Sequence, residues 1–76
     1  MPKIPIISGK KLLRVFKKHG YIKIRQKGSH VFIENPENNT STVIPIHQNE
    51  DLGKGLIKSI LNDLELSVEE LIRMIG

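Results

Sequence analysis

Hydrophobic and polar positions follow a helical period in the first part of the chain. Between Ser8 and Gly20 the apolar residues cluster on one side of a helical wheel, while lysines and an arginine occupy the rest. This pattern predicts an amphipathic helix that Ser8 caps and Gly20 ends. The apolar residues of this helix are Leu12, Leu13, Val15 and Phe16.

From Tyr21 onward the apolar residues alternate with polar ones, which is the period of a β-strand. We expect Ile22 and Ile24 to face the core and Tyr21, Lys23 and Arg25 to face away from it. A turn at residues 27–29 should then connect this strand to the next.

The second predicted strand covers residues 30–34. If its pleat matches that of the first strand, one side joins the core and the other stays open to solvent. The inward residues are then Val31 and Ile33, and the outward ones are His30, Phe32 and Glu34.

The rest of the chain predicts one more strand and one or two helices. Turn-forming residues at 35–39 indicate a hairpin into a strand at 40–46, where Pro45 marks an edge or an end. Ser67 and Glu70 form a capping-box pattern before a short final helix or a bent continuation. The helix between them has its apolar residues at Leu56, Ile57, Ile60, Leu61 and Leu64.

These elements predict an α+β fold in the order α-β-β-β-α, with a three-stranded antiparallel sheet and its helices on one face. The 76 residues of the chain suffice for a single domain over residues 1–76. There is no cysteine for a disulfide or a thiolate metal site, which fits a reducing cytoplasm. No apolar run is long enough to span a bilayer, so we expect a soluble cytoplasmic protein without a membrane partner.

Charge is distributed unevenly between the two halves of the chain. Residues 1–30 contain nine Lys or Arg and no acid, whereas the other three basic residues follow among all eight acids. Such a chain suits an anionic partner at one end, and a phosphate backbone is the usual one. A solvated helix face that keeps the protein soluble is the alternative explanation.

The outward face of the predicted sheet combines basic, aromatic and histidine side chains. With Lys27 at the turn beside it, this face is a plausible surface for RNA. The two rings could instead pair across the strands and stabilise the sheet without any ligand. The residues of this face are Tyr21, Lys23, Arg25, His30 and Phe32.

Five short segments together resemble one protein family, the HicA toxins, also called YcfA-like proteins. The resemblance covers nearly the whole chain, and its most specific part is the Gly-Ser-His turn that opens the second strand after a basic first strand. The segments are residues 8–10, 20–21, 25–30, 43–47 and 55–61.

The resemblance implies a fold like the double-stranded-RNA-binding domain and an mRNA-cleaving toxin that a HicB-type antitoxin holds inactive. The essential histidine of the family falls on His30 and its glycine on Gly28, where a turn with positive φ would let an RNA backbone approach. One departure is Leu56, where the family often has Thr. Without that hydroxyl, capping of the second helix should pass to Gly55 or an upstream polar group.

RNA can be cleaved without a metal because its own 2′-OH is the nucleophile. We expect His30 to act as general base or acid, with Lys23, Arg25 and Lys27 binding phosphate. Gly28 and Ser29 of the turn complete the predicted RNA-binding set. From the residues alone, an ordinary surface histidine in a hairpin is about as plausible for His30.

Other chemistry finds less support in the sequence. Ser29 and His30 should point to opposite sides and so cannot form a nucleophile and base pair. His19, His30 and His47 lack metal-ligand spacing, so we expect no metal or small-molecule cofactor. His47 could approach His30, although a place at the strand end is a simpler role.

Two other functional classes remain open at this point. One is a noncatalytic RNA-binding module in which His30 only contacts RNA. The other is a structural protein whose basic face docks an acidic partner. The three hypotheses predict different results for the purified protein. A ribonuclease shortens a labelled RNA in EDTA, and an RNA-binding module shifts the RNA intact. A structural protein forms a complex with its acidic partner and has no affinity for RNA.

Overall fold

The computed structural model describes residues 3–47 and 50–76. Its three strands form one antiparallel sheet in which the second strand is central. This architecture confirms the predicted α+β fold and the order α-β-β-β-α, followed by a separate third helix. The elements are α1 (Gly9–Lys18), β1 (Ile22–Lys27), β2 (His30–Asn35), β3 (Thr40–Pro45), α2 (Lys54–Asp63) and α3 (Val68–Ile75).

The first helix is fixed against the end of β3. Ser8 caps it as predicted, since the Ser8 side chain accepts a hydrogen bond from the Lys11 N–H at 3.2 Å. Gly9 is buried, and a Cβ atom there would overlap the Pro45 carbonyl oxygen. A residue with a side chain would therefore push α1 away from the sheet.

The caps of the other two helices differ from each other. In α3 both hydrogen bonds of the predicted Ser67 and Glu70 capping box are present. The expected cap of α2 at Gly55 or an upstream polar group is wrong, because the helix begins after Gly53 with no side-chain cap. Gly55 instead lies within the first turn of α2.

The core lies between the helices and the inner face of β2 and β3. Val31 and Ile33 are fully buried, as the strand pattern predicted. Burying a side chain of this size stabilises a fold by about 1.5–3 kcal/mol. The helices and Leu64, the C-cap residue of α2, supply most of the remaining buried apolar residues. Those within the helices are Leu12, Phe16, Ile57, Ile60, Leu61 and Leu71.

The predicted faces of β1 are wrong. Ile22 and Ile24 are 48% and 54% exposed, whereas Tyr21 is buried with its ring 4.9 Å from that of Phe16. A β-bulge between Lys23 and Arg25 interrupts the alternation. In addition, β1 is an edge strand in which every residue is exposed, so neither of its faces is enclosed by the core.

Pro45 has the position that its missing N–H predicted. It is the last residue of β3, and β3 is the other edge strand. In the described part of the chain, no helix is long and apolar enough to cross a membrane.

Candidate functional site

The turn between β1 and β2 brings a lysine and a histidine together. Lys27 and His30 are cross-strand partners, and partners in this position share one face of the sheet. Gly28 has φ +60°, which confirms the positive φ that the glycine implied. The Gln26 side-chain amide donates a hydrogen bond to the Gly28 carbonyl at 2.9 Å and so holds the turn.

His30 is exposed at the start of β2. On its other side it pairs with Pro45 of β3. Because Val31 points into the core, alternation places the His30 side chain on the open face of the sheet. The imidazole is therefore accessible to a ligand on that face.

Arg25 and Phe32 extend the open face away from the turn. They are cross-strand partners, and the guanidinium carbon of Arg25 lies 4.5 Å from the centroid of the Phe32 ring. A cation over an aromatic ring at this distance is an attractive arrangement. His30, Lys27, Arg25 and Phe32 thus share one face, as predicted.

Lys23 does not lie on the face that the alternation predicted. Beyond the bulge it pairs with Ile33, whose side chain is in the core, so Lys23 belongs to the helix side of the sheet. Its ammonium group donates a hydrogen bond to the Gln26 side chain at 2.9 Å. Tyr21, which is buried, is also absent from the open face.

The structure brings His47 to the same turn. Its Nε2 atom lies 3.3 Å from the Ser29 Oγ, within hydrogen-bonding distance. The backbone reinforces this contact, because the Ile46 N–H donates to the Ser29 carbonyl at 2.7 Å. His47 therefore contacts the residue next to His30, a proximity that the antiparallel return of the third strand had suggested.

The first turn of α1 adds positive charge that the sequence interpretation did not assign to the site. Gly9 lies against Pro45, and Pro45 pairs with His30. Lys10 and Lys11 are exposed and belong to this end of the molecule. The sequence signal that could have identified Lys10 is the segment of residues 8–10, which is part of the family resemblance.

The remaining histidine lies elsewhere. The His19 ring is 3.0 Å from the Met74 carbonyl oxygen, so it connects the end of α1 to α3. Among residues 3–47 and 50–76, no three His, Asp or Glu side chains are grouped so that they could hold a metal ion.

Two pKa shifts lie outside this site. Burial raises the pKa of the Tyr21 hydroxyl above its ordinary value. Hydrogen bonds from the Ser67 backbone and side chain lower the pKa of Glu70. The basic groups around His30 are exposed lysine and arginine side chains.

Comparison with known proteins gives one family. The model described as HicA toxin of bacterial toxin-antitoxin matches residues 9–66 of the chain. The match runs from the start of α1 through α2 and includes all the residues of the β1–β2 turn. No curated protein matches the chain.

Proposed function

This chain belongs to the HicA toxin family and is the toxin of a toxin-antitoxin system, and from this premise we propose that it is an endoribonuclease that cleaves mRNA without a metal. The observation that carries the proposal is the exposed His30 on a basic open face, opposite Lys27 and close to Arg25. Because mRNA is the proposed substrate, the proposed place of action is the cytoplasm.

The proposed reaction uses the RNA as its own nucleophile. A base removes the proton of the 2′-OH, and the 2′-oxygen attacks the adjacent phosphorus while the bond from phosphorus to the 5′-oxygen breaks. The leaving 5′-oxygen takes up a proton, which yields a 2′,3′-cyclic phosphate and a free 5′-OH. Histidine suits either proton transfer near neutral pH, and we assign one of them to His30.

The neighbouring residues supply binding and charge. We assign phosphate contacts to Lys27 and Arg25, since cations stabilise the negative charge that develops on the phosphoryl oxygens. Gly28 and Ser29 would let the RNA backbone approach the turn, because Gly28 carries no side chain and open space surrounds it. Lys23 remains a candidate phosphate ligand, reached from the helix side of β1.

The antitoxin is the second proposed partner. Membership in a toxin-antitoxin family implies an antitoxin protein. We assign it to the HicB type on the basis of the family resemblance and expect it to hold the toxin inactive by keeping RNA from His30.

Replacing His30 tests the proposed activity. In EDTA, the purified His30→Ala variant should cleave a labelled single-stranded RNA at least about 100-fold more slowly than the unmodified protein, the usual size of a lost acid-base group. His19→Ala is the matched control, since His19 is also an exposed histidine but bonds to α3. Cleavage by His30→Ala at the unmodified rate would contradict the assignment.

A noncatalytic RNA-binding module is the second candidate function. The stacked Arg25 and Phe32 pair favours it, because an exposed cation over a half-buried aromatic ring can bind RNA without any proton transfer. In this case the unmodified protein would shift the labelled RNA without shortening it, and His30→Ala would change only the affinity.

A further inference from the structure

The proposed cleavage needs two proton transfers, and His30 accounts for one of them. The 2′-OH must lose a proton and the leaving 5′-oxygen must gain one. Attack and departure take place on opposite sides of the phosphorus, so a second acid-base group is expected across the phosphate from the first. Histidine is the side chain best suited to either transfer near neutral pH.

His47 follows directly on the strand that pairs with β2. The Ile46 N–H donates to the Ser29 carbonyl at 2.7 Å, so the pairing of β2 and β3 continues one residue past the end of β3. Ile46 packs against the core. Since side chains alternate along paired backbone, His47 points to the opposite side, which is the open face of the sheet.

His47 is also close to His30 on that face. The direct partner of His30 in β3 is Pro45, two residues before His47. A residue two positions from a direct partner is a diagonal neighbour, about 7–8 Å away. Both histidines are exposed. Their spacing leaves room for one phosphoryl group between the two rings, with Lys27 on the other side of His30 as its partner in β1.

The surroundings of His47 fix both its backbone and its ring. The Glu50 N–H donates to the His47 carbonyl at 2.9 Å, and the Nε2 atom lies 3.3 Å from the Ser29 Oγ. A hydrogen bond at one ring nitrogen sets the orientation of the ring and the tautomer that the other nitrogen presents. An acid-base histidine beside a group that orients it has this arrangement.

We propose that His47 carries out the proton transfer that His30 does not. One ring accepts the 2′-OH proton and the other donates a proton to the leaving 5′-oxygen, so the two rings together hold as many protons after the step as before it. His19, the third histidine of the chain, contacts the Met74 carbonyl instead. The inference rests on the ribonuclease proposal and adds the second acid-base group to it.

Glutamine at position 47 tests the proposal. Its amide can reach the Ser29 hydroxyl as the Nε2 atom does, but it cannot transfer a proton. In EDTA and at single turnover, His47→Gln should cleave labelled RNA at least about 100-fold more slowly than the unmodified protein, while its affinity for 2′-O-methyl RNA stays the same. His19→Gln is the matched control and should cleave at the unmodified rate. A merely structural role predicts full cleavage by His47→Gln, and that result would overturn the proposal.

A sulfur leaving group shows which histidine is the acid. When sulfur replaces the bridging 5′-oxygen, the departing thiolate needs no proton, so the variant without the general acid should regain the rate of the unmodified protein. Only one of His30→Gln and His47→Gln should recover, because the other lacks the base. Recovery by both variants or by neither would overturn the proposal. If the unmodified protein leaves RNA intact, the ribonuclease proposal fails and the role of His47 fails with it.

Discussion

At the scale of single residues, the turn before His30 favours glycine at position 28 because of the backbone conformation there, and not because a side chain would lack space. Gly28 has φ +60° and no neighbouring atom within reach of an added Cβ. A side chain there would thus meet no steric clash from the surroundings, and its cost would come from the left-handed backbone itself.

Two glycine substitutions separate these effects. We expect Gly28→Ala to lower the free energy of unfolding by about 1 kcal/mol, because alanine disfavours positive φ. Gly55→Ala is the control: a Cβ also has open space there, but the residue is helical, so alanine should stabilise the protein by about 0.5–1 kcal/mol. Urea unfolding measures both changes. Equal effects of the same sign would contradict the role given to Gly28.

At this scale, the sequence was sufficient to predict features formed by neighbouring residues but not contacts between distant ones. The Gly-Ser-His segment identified the turn, although the structure shows Lys27 as the last residue of β1, opposite His30, and not as part of the turn. The contact between Ser29 and His47 depends on how β3 returns beside β2. Residues 18 positions apart have no local pattern that could reveal such a contact.

At the scale of elements, β1 is where periodicity was misleading. Alternation alone placed Ile22 and Ile24 in the core, yet both are about half exposed. The bulge changes which residues of β1 face the same side of the sheet. In addition, a strand residue is buried only where other elements pack over it, and every residue of the edge strand β1 is exposed. The β2 strand, which lies between two neighbours, followed its pattern.

The capping box of α3 predicts a pH dependence of stability. Hydrogen bonds from Ser67 lower the pKa of the Glu70 carboxyl in the folded protein. Because the folded pKa lies below the unfolded value, the stabilisation is complete above the ordinary pKa of 4.5 and is lost as the pH falls through the folded value.

Glu70→Gln isolates this contribution. Glutamine can keep the capping geometry but does not titrate. Urea unfolding of both proteins at pH 7 and pH 3 should show that the unmodified protein loses more stability on acidification than the variant does. A constant stability difference between the two proteins at both pH values would refute the role of Glu70.

At the scale of the whole molecule, the separation of charge predicts salt-sensitive RNA binding. The nine cations of residues 1–30 have no acidic neighbours in sequence, and three of them are on β1. Each phosphate that a cation neutralises on a single strand contributes about −0.7 to the slope of log affinity against log salt.

Removing one proposed contact should change that slope. With a non-cleavable 2′-O-methyl RNA, Lys27→Ala should bind more weakly and with a slope about 0.7 smaller in magnitude. Lys58→Ala is the control, because Lys58 is an exposed lysine on α2, in the acidic part of the chain. Fluorescence anisotropy at several salt concentrations gives both slopes. A slope for Lys27→Ala that matches the unmodified protein would exclude a phosphate contact at Lys27.

The sequence by itself determined the order of the elements, the Ser8 and Ser67 caps and the turn that carries His30. These features depend on residues within a few positions of one another, where propensity, period and turn chemistry operate. Only the tertiary structure decided that Lys23 leaves the open face, that His47 reaches Ser29 and that Ile24 stays outside the core. The physical reason is that register, a bulge and the cover provided by helices arise from contacts between distant segments, and no local pattern encodes them.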